Sequence, residues 1–217
     1  MQWSVITDSL PTLLFGLGVT ALLSLSTIVL ATLLGLAVGT ARAERVPVVS
    51  PLLRIYIDVF RGTPLIVQML FAYFGAAYLG FGDIPPFAAA LMALVLCEGA
   101  YISEIVRAGV EAVPIGQREA GATLGLTGFQ IWRRIVLPLA RNVSLPPLVG
   151  QYVALVKDTS LASVIGVSEF LQQGQYIVGR TARPLEVYSA LTVGYFLICF
   201  PMSVFAKSLQ RRRLVPS

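Results

Sequence analysis

Six polar side chains lie inside stretches of this sequence that are otherwise apolar. Four are ionisable and two carry hydroxyls: Glu98, Glu104, Lys157, Asp158, Thr159 and Ser160. An ionisable side chain near the centre of a bilayer costs about 2.5 to 3.5 kcal/mol on insertion scales, so it persists mainly where it lines a cavity or has a partner. Carboxylates beside an ammonium group and hydroxyls would suit a small zwitterion. We therefore interpret these six residues as a candidate substrate-binding set.

Each of these charges also has a purely structural interpretation. Glu98 lies about twelve residues past Pro86, or about 18 Å along a helix, with no basic residue three or four positions away. Glu104 has Arg107 at i+3, and a local ion pair is the simpler explanation for it.

Lys157 and Asp158 are adjacent in the sequence. On a regular helix adjacent side chains diverge by about 100°, so these two charges cannot simply neutralise each other. At least one of them therefore faces another part of the protein. The alternative to a substrate site is that both bond to neighbouring helices and hold the bundle together.

A polar segment, EAVPIGQREAGATLGLTGFQIWRRIVLPLA, runs from Glu111 to Ala140 between strongly apolar stretches. Its small residues Ala120, Gly121 and Gly125 would allow close approach of another backbone. Pro114 and Gly116 are expected to break the helix before it, and Pro138 is expected to end the apolar run that precedes it.

The elements that position these residues follow from composition. Of 217 residues, 56% are hydrophobic and 12% are charged, and the mean hydropathy is +0.80. This places the chain in the membrane class, as one transmembrane domain over residues 1–217. With no histidine and only Cys97 and Cys199, both in apolar runs, the sequence offers neither a zinc site nor a disulfide framework. Asp8 and the lack of a basic residue before the first apolar run argue against a cleaved signal peptide.

The apolar stretches predict about five transmembrane helices, since a span needs roughly 20 mostly apolar residues. The fourth is the least apolar and contains Pro146, Pro147 and Gln151. Small residues Gly35 and Gly39 in the first span predict ordinary close helix packing. The five expected spans are about Leu10 to Ala41, Leu52 to Leu79, Pro86 to Val106, Val143 to Val167, and Pro184 to Ala206.

The basic residues predict the orientation. The net charge of +5 could suggest a nucleic-acid partner, but a membrane explains the distribution better, because most Lys and Arg fall on one side of the spans. Cytoplasmic loops carry the excess of Lys and Arg, so the N-terminus is expected outside and the C-terminus inside. The residues that decide this are Arg42 and Arg45, those from Arg107 to Arg141, and Arg211 to Arg213.

The polar segment also carries a recognisable pattern. It begins with Glu119, Ala120 and Gly121, continues with Gly125 after three residues and Ile135 after nine more, and ends with Leu137 and Pro138 after one more. This pattern resembles the EAA signature of bacterial ABC importer permeases. Gly121 departs from the signature, which usually has a second alanine there. Glycine costs a helix about 1 kcal/mol relative to alanine but keeps the close approach possible.

Three further stretches resemble the branch of that family that imports polar amino acids: FRGTPLIVQMLF, GAYISEIVRAGVEAVPIGQ and KDTSLASVIGVSEF. The resemblance implies an all-α integral membrane fold of the type I ABC importer kind. It also implies a second permease copy or a paralogue, two ATPase subunits that bind ATP and magnesium, and an extracytoplasmic amino-acid-binding protein. No cofactor is expected in this chain and no nucleic acid as a partner.

The resemblance further implies that the segment of about 111–140 contains a short cytoplasmic coupling helix that enters a cleft in the ATPase, with Glu119 as its charged anchor. The alternative is an amphipathic helix on anionic lipid, favoured by Arg118, Arg133 and Arg134. The chain itself lacks a phosphate-binding loop, which needs glycine before its lysine, since its two lysines follow Val156 and Ala206.

We therefore expect a permease that works by alternating access, driven by ATPase subunits. The excess of intramembrane carboxylates favours a cationic or zwitterionic amino acid. The FRGTP stretch is expected to kink the second span, with a hinge or gate as the alternative. Two other functions remain open: an ion-coupled secondary carrier, which would be expected to show an internal repeat, and a non-transporting membrane anchor for an ATPase.

Overall fold

The computed structural model describes residues 3–44, 47–80 and 82–211, and this part of the chain is built from helices. Arg45, Arg212 and Arg213, used in the orientation argument, lie outside the described residues. The α-helices are α1 (Ser4–Asp8), α2 (Leu10–Ala43), α3 (Val49–Gly62), α4 (Leu65–Leu70), α5 (Ala76–Tyr78), α6 (Pro86–Glu111), α7 (Ile115–Thr123), α8 (Gly128–Ile131), α9 (Leu137–Asp158), α10 (Phe170–Thr181) and α11 (Pro184–Arg211).

Three of the described helices are long and apolar enough to cross a membrane: Leu10–Ala43, Pro86–Glu111 and Pro184–Ser208. A fourth span results if α3 and the helical segment Leu65–Gly75 are counted together. Proline begins two of the long helices, Pro86 in α6 and Pro184 in α11. Its missing N–H costs nothing there, because the first N–H groups of a helix have no partner within the helix.

The centre of the fold is the pair formed by α2 and α6, which pack along each other more extensively than any other two described elements. Gly35 and Gly39 make this possible. A methyl group at Gly35 would lie 2.5 Å from Cγ2 of Ile102, and one at Gly39 would lie 2.5 Å from the carbonyl oxygen of Ser103. The expected close packing at these two glycines is confirmed.

The second predicted span is broken rather than kinked. Thr63 and Pro64 are extended, and the helical axes on either side differ by 106°. The break frees backbone carbonyls, and Gln68 bonds to them: its Nε2 donates to the carbonyl of Phe60 at 2.8 Å and to that of Thr63 at 3.1 Å. Irregular backbone at membrane depth needs such partners, because no water is available there. The prediction of one continuous span from Leu52 to Leu79 is thus wrong.

The fourth predicted span, Val143 to Val167, also differs from the structure. Helix α9 ends at Asp158, and a 3₁₀ helix, Thr159–Ile165, follows it. Pro138 does not end the helix before it. The turn Trp132–Val136 is π-helical, and the chain stays helical from Gly128 to Asp158. A π turn bonds i to i+5, so the helix passes the proline without meeting the usual clash with the carbonyl four residues earlier.

A buried carboxyl group, Glu169, joins three parts of the fold. It is fully buried and caps α10, where it accepts from the N–H groups of Leu171 at 2.9 Å and Gln172 at 2.7 Å. It also accepts from the hydroxyl of Tyr195 in α11 at 3.1 Å and from that of Thr20 in α2 at 3.5 Å. The start of α10 is thereby fixed to α2 and to α11.

Replacing Glu169 by alanine is expected to destabilise the fold by about 3 kcal/mol, because several buried donors lose their acceptor and α10 loses its cap. Tyr195→Phe removes one donor only and is expected to cost about 1 kcal/mol. Thermal unfolding of the purified chain in detergent, followed by circular dichroism, measures both. Equal stability of Glu169→Ala and Tyr195→Phe would contradict the joining role of the carboxyl group.

Candidate functional site

Glu98 forms the centre of an intramembrane polar cluster. Its side chain belongs to α6 and is almost fully buried, with 1% of its surface exposed. The Nε2 of Gln151 in α9 donates to its Oε2 at 2.8 Å. The carboxylate of Asp158 at the end of α9 interacts electrostatically with Glu98 and with Cys97. Two of the predicted residues, Glu98 of α6 and Asp158 of α9, thus influence each other electrostatically, and the hydrogen bond that joins the two helices here is that of Gln151 to Glu98.

The prediction did not include Gln151 in the candidate site, although its type and place in the fourth apolar stretch are visible in the sequence. What the sequence could not show is that residues 53 positions apart face each other. Glu98 with an amide donor on one side and a second carboxylate nearby presents more acceptors than donors. Such an environment suits a ligand that donates hydrogen bonds, as an ammonium group does.

Glu104 is in a different environment. It forms the expected i+3 ion pair with Arg107 at 2.8 Å, so that alternative is confirmed. It also bonds to Arg42 at the end of α2 and lies 3.9 Å from Arg61 of α3. The carboxylate of Glu104 thus joins the ends of α2, α3 and α6. Its oxygens are already used by protein partners, which makes it a poorer candidate than Glu98 for binding a substrate ammonium group.

The three residues around the end of α9 are placed differently from one another. Lys157 is exposed, and its charge interacts with Cys199 of α11 as well as with Asp158. Thr159 is fully buried and donates to the carbonyl of Val156 at 2.8 Å, while Ser160 donates to the carbonyl of Lys157 at 2.7 Å. Both hydroxyl protons are used within the chain, so only the hydroxyl oxygens are available to a ligand, as acceptors.

The predicted coupling segment contains a short helix, α7, as expected. Glu119 and Ala120 are exposed on it, whereas Gly121 is buried. A methyl group at Gly121 would lie 2.7 Å from Cδ1 of Ile135 in the following π turn. The small size of Gly121 therefore serves packing within this chain, and the expectation that it offers room to a partner protein is wrong.

Gly125 ends the coupling helix. It adopts φ +77°, a left-handed conformation, with its N–H bonded to the carbonyl of Ala122 at 3.0 Å. The N–H of Leu126 bonds to the carbonyl of Gly121 at 3.1 Å, which completes a Schellman motif. Gly125 thus has a conformational role, and because the space around it is open, the close approach of a partner there stays a prediction. Thr127 then begins α8 through a capping box with Gln130.

Exposed apolar side chains accompany Glu119 in α7 and in the residues that follow it. Ile115, Leu124 and Phe129 are 69%, 81% and 72% exposed. We define this set, together with Glu119 and Ala120, as the coupling surface. Large apolar groups exposed close together commonly mark an interaction site. The sequence analysis missed the three apolar residues because nothing in their spacing distinguishes them from buried positions.

Arg118 connects the coupling helix to the long helices. Its guanidinium donates to the carbonyl of Val110 near the end of α6 at 3.3 Å and pairs with Glu44, just after α2, at 3.5 Å. Val113 between α6 and α7 is buried in an apolar cluster with residues of α9. The segment that contains the coupling helix therefore contacts α6 and Glu44 through Arg118, and α9 through Val113. Arg118 has protein partners, which weakens the lipid-surface alternative for it.

Comparison with known proteins gives consistent results. Residues 31–215 match the family described as binding-protein-dependent transport system inner membrane component. The chain is 40% identical over 213 residues to the glutamine transport system permease protein GlnP of Escherichia coli (strain K12), with 97% of each chain covered. It is 35% identical to the L-cystine transport system permease protein TcyL of Bacillus subtilis (strain 168), covering 96% of this chain and 90% of that protein.

Solved structures show the same fold. An amino acid ABC transporter crystallised with histidines superposes with a TM-score of 0.90 at 31% identity, covering 98% of this chain and 99% of that one. The MetNI methionine ABC transporter in an inward-facing conformation superposes with a TM-score of 0.74 at 20% identity, covering 93% of this chain and 98% of that one. The second likeness is one of fold.

Replacing Gly125 by alanine is expected to destabilise the end of the coupling helix by about 1 to 2 kcal/mol, the cost of a left-handed conformation with a Cβ atom. Hydrogen–deuterium exchange of peptides covering 115–127 should become about tenfold faster. Gly116→Ala is the matched control: it lies in the same helix, has open space around it, and lacks a positive φ. Unchanged exchange in Gly125→Ala would contradict the assigned role.

Proposed function

Because the chain belongs to the family of binding-protein-dependent transport system inner membrane components, we infer that it is the permease subunit of an ATP-driven importer of polar amino acids. The match over most of the chain carries this conclusion, and relatives at 40% and 35% identity are amino acid permeases by name. ATP hydrolysis takes place on separate subunits. Membership of this family supports the ATP-driven permease over the two alternatives, an ion-coupled secondary carrier and a non-transporting membrane anchor.

The coupling surface is proposed as the contact with the ATPase. Glu119 and Ala120 are exposed, and so are the apolar Ile115, Leu124 and Phe129 of the same segment, so the segment offers both a charged anchor and side chains that gain from burial. The Gly125 motif ends the helix sharply and presents it as a compact element. A cleft in the partner that takes up this helix would bury both kinds of contact.

Transmission into the membrane follows from the contacts of the segment. Arg118 links α7 to the ends of α2 and α6, and Val113 packs with α9. A displacement of α7 would therefore move these helices together. We propose that closure of the ATPase pair on ATP shifts the spans between inward-open and outward-open arrangements and that hydrolysis resets them. This requires the ATPase to bind the two arrangements with different affinity.

The proposed complex contains a second permease copy or paralogue, two ATPase subunits with ATP and magnesium, and an extracytoplasmic amino-acid-binding protein. The membrane is the bacterial inner membrane. We propose that the N-terminus is outside and the C-terminus cytoplasmic. In support, Arg42, Arg107 and Arg118 lie at one end of the helix bundle, together with the coupling helix, as the positive-inside rule requires.

The proposed substrate site is the intramembrane polar cluster around Glu98. Glu98 and Asp158 would accept from the ammonium group of the amino acid, and the oxygens of Thr159 and Ser160 are further acceptors. Lys157 and Glu104 remain members of the proposed set, although Lys157 is exposed and Glu104 is paired with arginines. An excess of acceptors favours a zwitterionic or cationic amino acid over an acidic one.

Glu119→Lys is expected to abolish ATP-driven amino acid uptake, because reversing a charge in a buried contact costs about 2 to 5 kcal/mol. The measurement is uptake and ATPase activity in liposomes containing this chain, its ATPase and its binding protein. Gln117→Lys is the control, since it places a lysine on another face of the same helix. Unchanged uptake and ATPase assembly in Glu119→Lys would return the lipid-surface alternative to consideration.

Glu98→Gln is expected to lower uptake of L-glutamine and L-histidine about tenfold, because it removes a charged acceptor while leaving an oxygen for Gln151. ATPase subunits should still assemble with the variant. Glu111→Gln is the control: it lies in the same helix but pairs with Arg107 at the surface. If Glu98→Gln transports every tested amino acid as well as the wild type does, Glu98 is not part of a substrate site.

A further inference from the structure

A cavity of about 390 Å³ lies between α3, α6 and α9, beside the polar cluster around Glu98. Its lining combines charged, aromatic and amide groups, and the residues that carry the following argument are Arg61, Tyr101, Glu104, Arg107 and Gln151. Gln151 belongs to both places, because it lines the cavity and donates to Glu98. The volume falls in the range of small-molecule sites, about 300 to 1,000 Å³.

The charges around this cavity do not balance. Two guanidinium groups, those of Arg61 and Arg107, and one carboxylate, that of Glu104, line it. One positive charge is therefore left over on the wall of the cavity. An excess cation in such a place favours an anionic ligand.

The excess charge belongs to Arg61. Arg107 pairs with Glu104 at 2.8 Å and with Glu111 at 2.6 Å, and Arg42 bonds directly to Glu104. Arg61 lies 3.9 Å from Glu104, at the limit of an ion pair, and this is its one ion pair within the described part of the chain. Its side chain is 41% exposed, against 16% for Arg42 and 28% for Arg107.

The position of Arg61 is nevertheless well defined. Its guanidinium stacks over the ring of Tyr101, 5.1 Å from the ring centroid. It is the second-last residue of α3, directly before the break at Thr63 and Pro64, which Gln68 holds in place. A guanidinium that is held by a ring keeps its N–H groups free, and these match the two oxygens of a carboxylate.

We propose that Arg61 is a specificity-determining residue whose guanidinium binds the α-carboxylate of the transported amino acid in this cavity. The inference rests on the proposed function and completes the proposed site. Glu98 and Asp158 supply acceptors for the ammonium group, and Arg61 supplies the cation that a zwitterion requires at its other end. It assigns to Arg61 the role that the sequence suggested for Lys157, which is exposed.

The test is equilibrium binding of L-glutamine to the complex of this chain with its ATPase in nanodiscs, without the binding protein. Arg61→Gln is expected to weaken binding about tenfold or more, the effect of losing hydrogen bonds to a charged group, and Arg61→Lys is expected to restore part of it. L-Glutamine α-carboxamide, which lacks the carboxylate, should bind the wild type weakly and lose nothing further in Arg61→Gln.

Arg54→Gln is the matched control. It removes the same charge from the same helix, where Arg54 pairs with Asp58 at 3.5 Å on an exposed surface outside the cavity. Binding of L-glutamine should be unchanged in it. Three results would overturn the proposal: no binding to the wild-type complex, unchanged binding in Arg61→Gln, or equal losses for L-glutamine and its carboxamide. ATP-driven uptake by the wild type in liposomes tests the proposed function separately from these results.

Discussion

The structure depends on one constraint: inside a bilayer no water is available to satisfy a polar group, so the protein must supply every partner itself. The break in the second span shows how this works. The extended residues Thr63 and Pro64 free backbone carbonyls, and a single side chain, Gln68, donates to those of Phe60 and Thr63. Glu169 shows the reverse case, a buried carboxyl group surrounded by donors from three helices. These polar side chains are what allows the bundle to depart from straight helices.

The same constraint separates the charges that hold the fold from those that can act on a solute. Glu104 pairs with two arginines and Glu169 accepts hydrogen bonds from several protein donors, so both carboxyl groups stabilise the bundle. Glu98 has one amide donor and a neighbouring carboxylate, and Arg61 has a distant ion pair and a ring beneath it. Arg61 lines a cavity between α3, α6 and α9, and Gln151, which donates to Glu98, lines the same cavity. A zwitterion would complete the pairing at both ends.

The proposed coupling to the ATPase depends on how the short helix α7 is held in place. The helix α7 is short and gains little stability from its own length, so it is fixed by its ends and by Arg118. Gly125 stops it, and Gly121 lets it pack on Ile135. This leaves Glu119 and its apolar neighbours facing outward. In the proposed mechanism, a displacement of that surface reaches α6 and Glu44, just after α2, through Arg118, and it reaches α9 through Val113.

The sequence alone determined the membrane class, the three long apolar helices, the coupling helix and the family, because each is encoded locally in hydropathy, in proline positions or in the spacing from Glu119 to Pro138. It also predicted the close packing at Gly35 and Gly39. It did not determine the 106° break after Gly62, the end of α9 at Asp158 or the passage of the helix through Pro138. Only the tertiary structure decided which distant partners the buried carboxyl groups have, because Glu98 with Gln151, Glu104 with Arg42 and Glu169 with Thr20 join residues 53, 62 and 149 positions apart. Such contacts follow from how the helices pack, and local sequence carries no record of that packing.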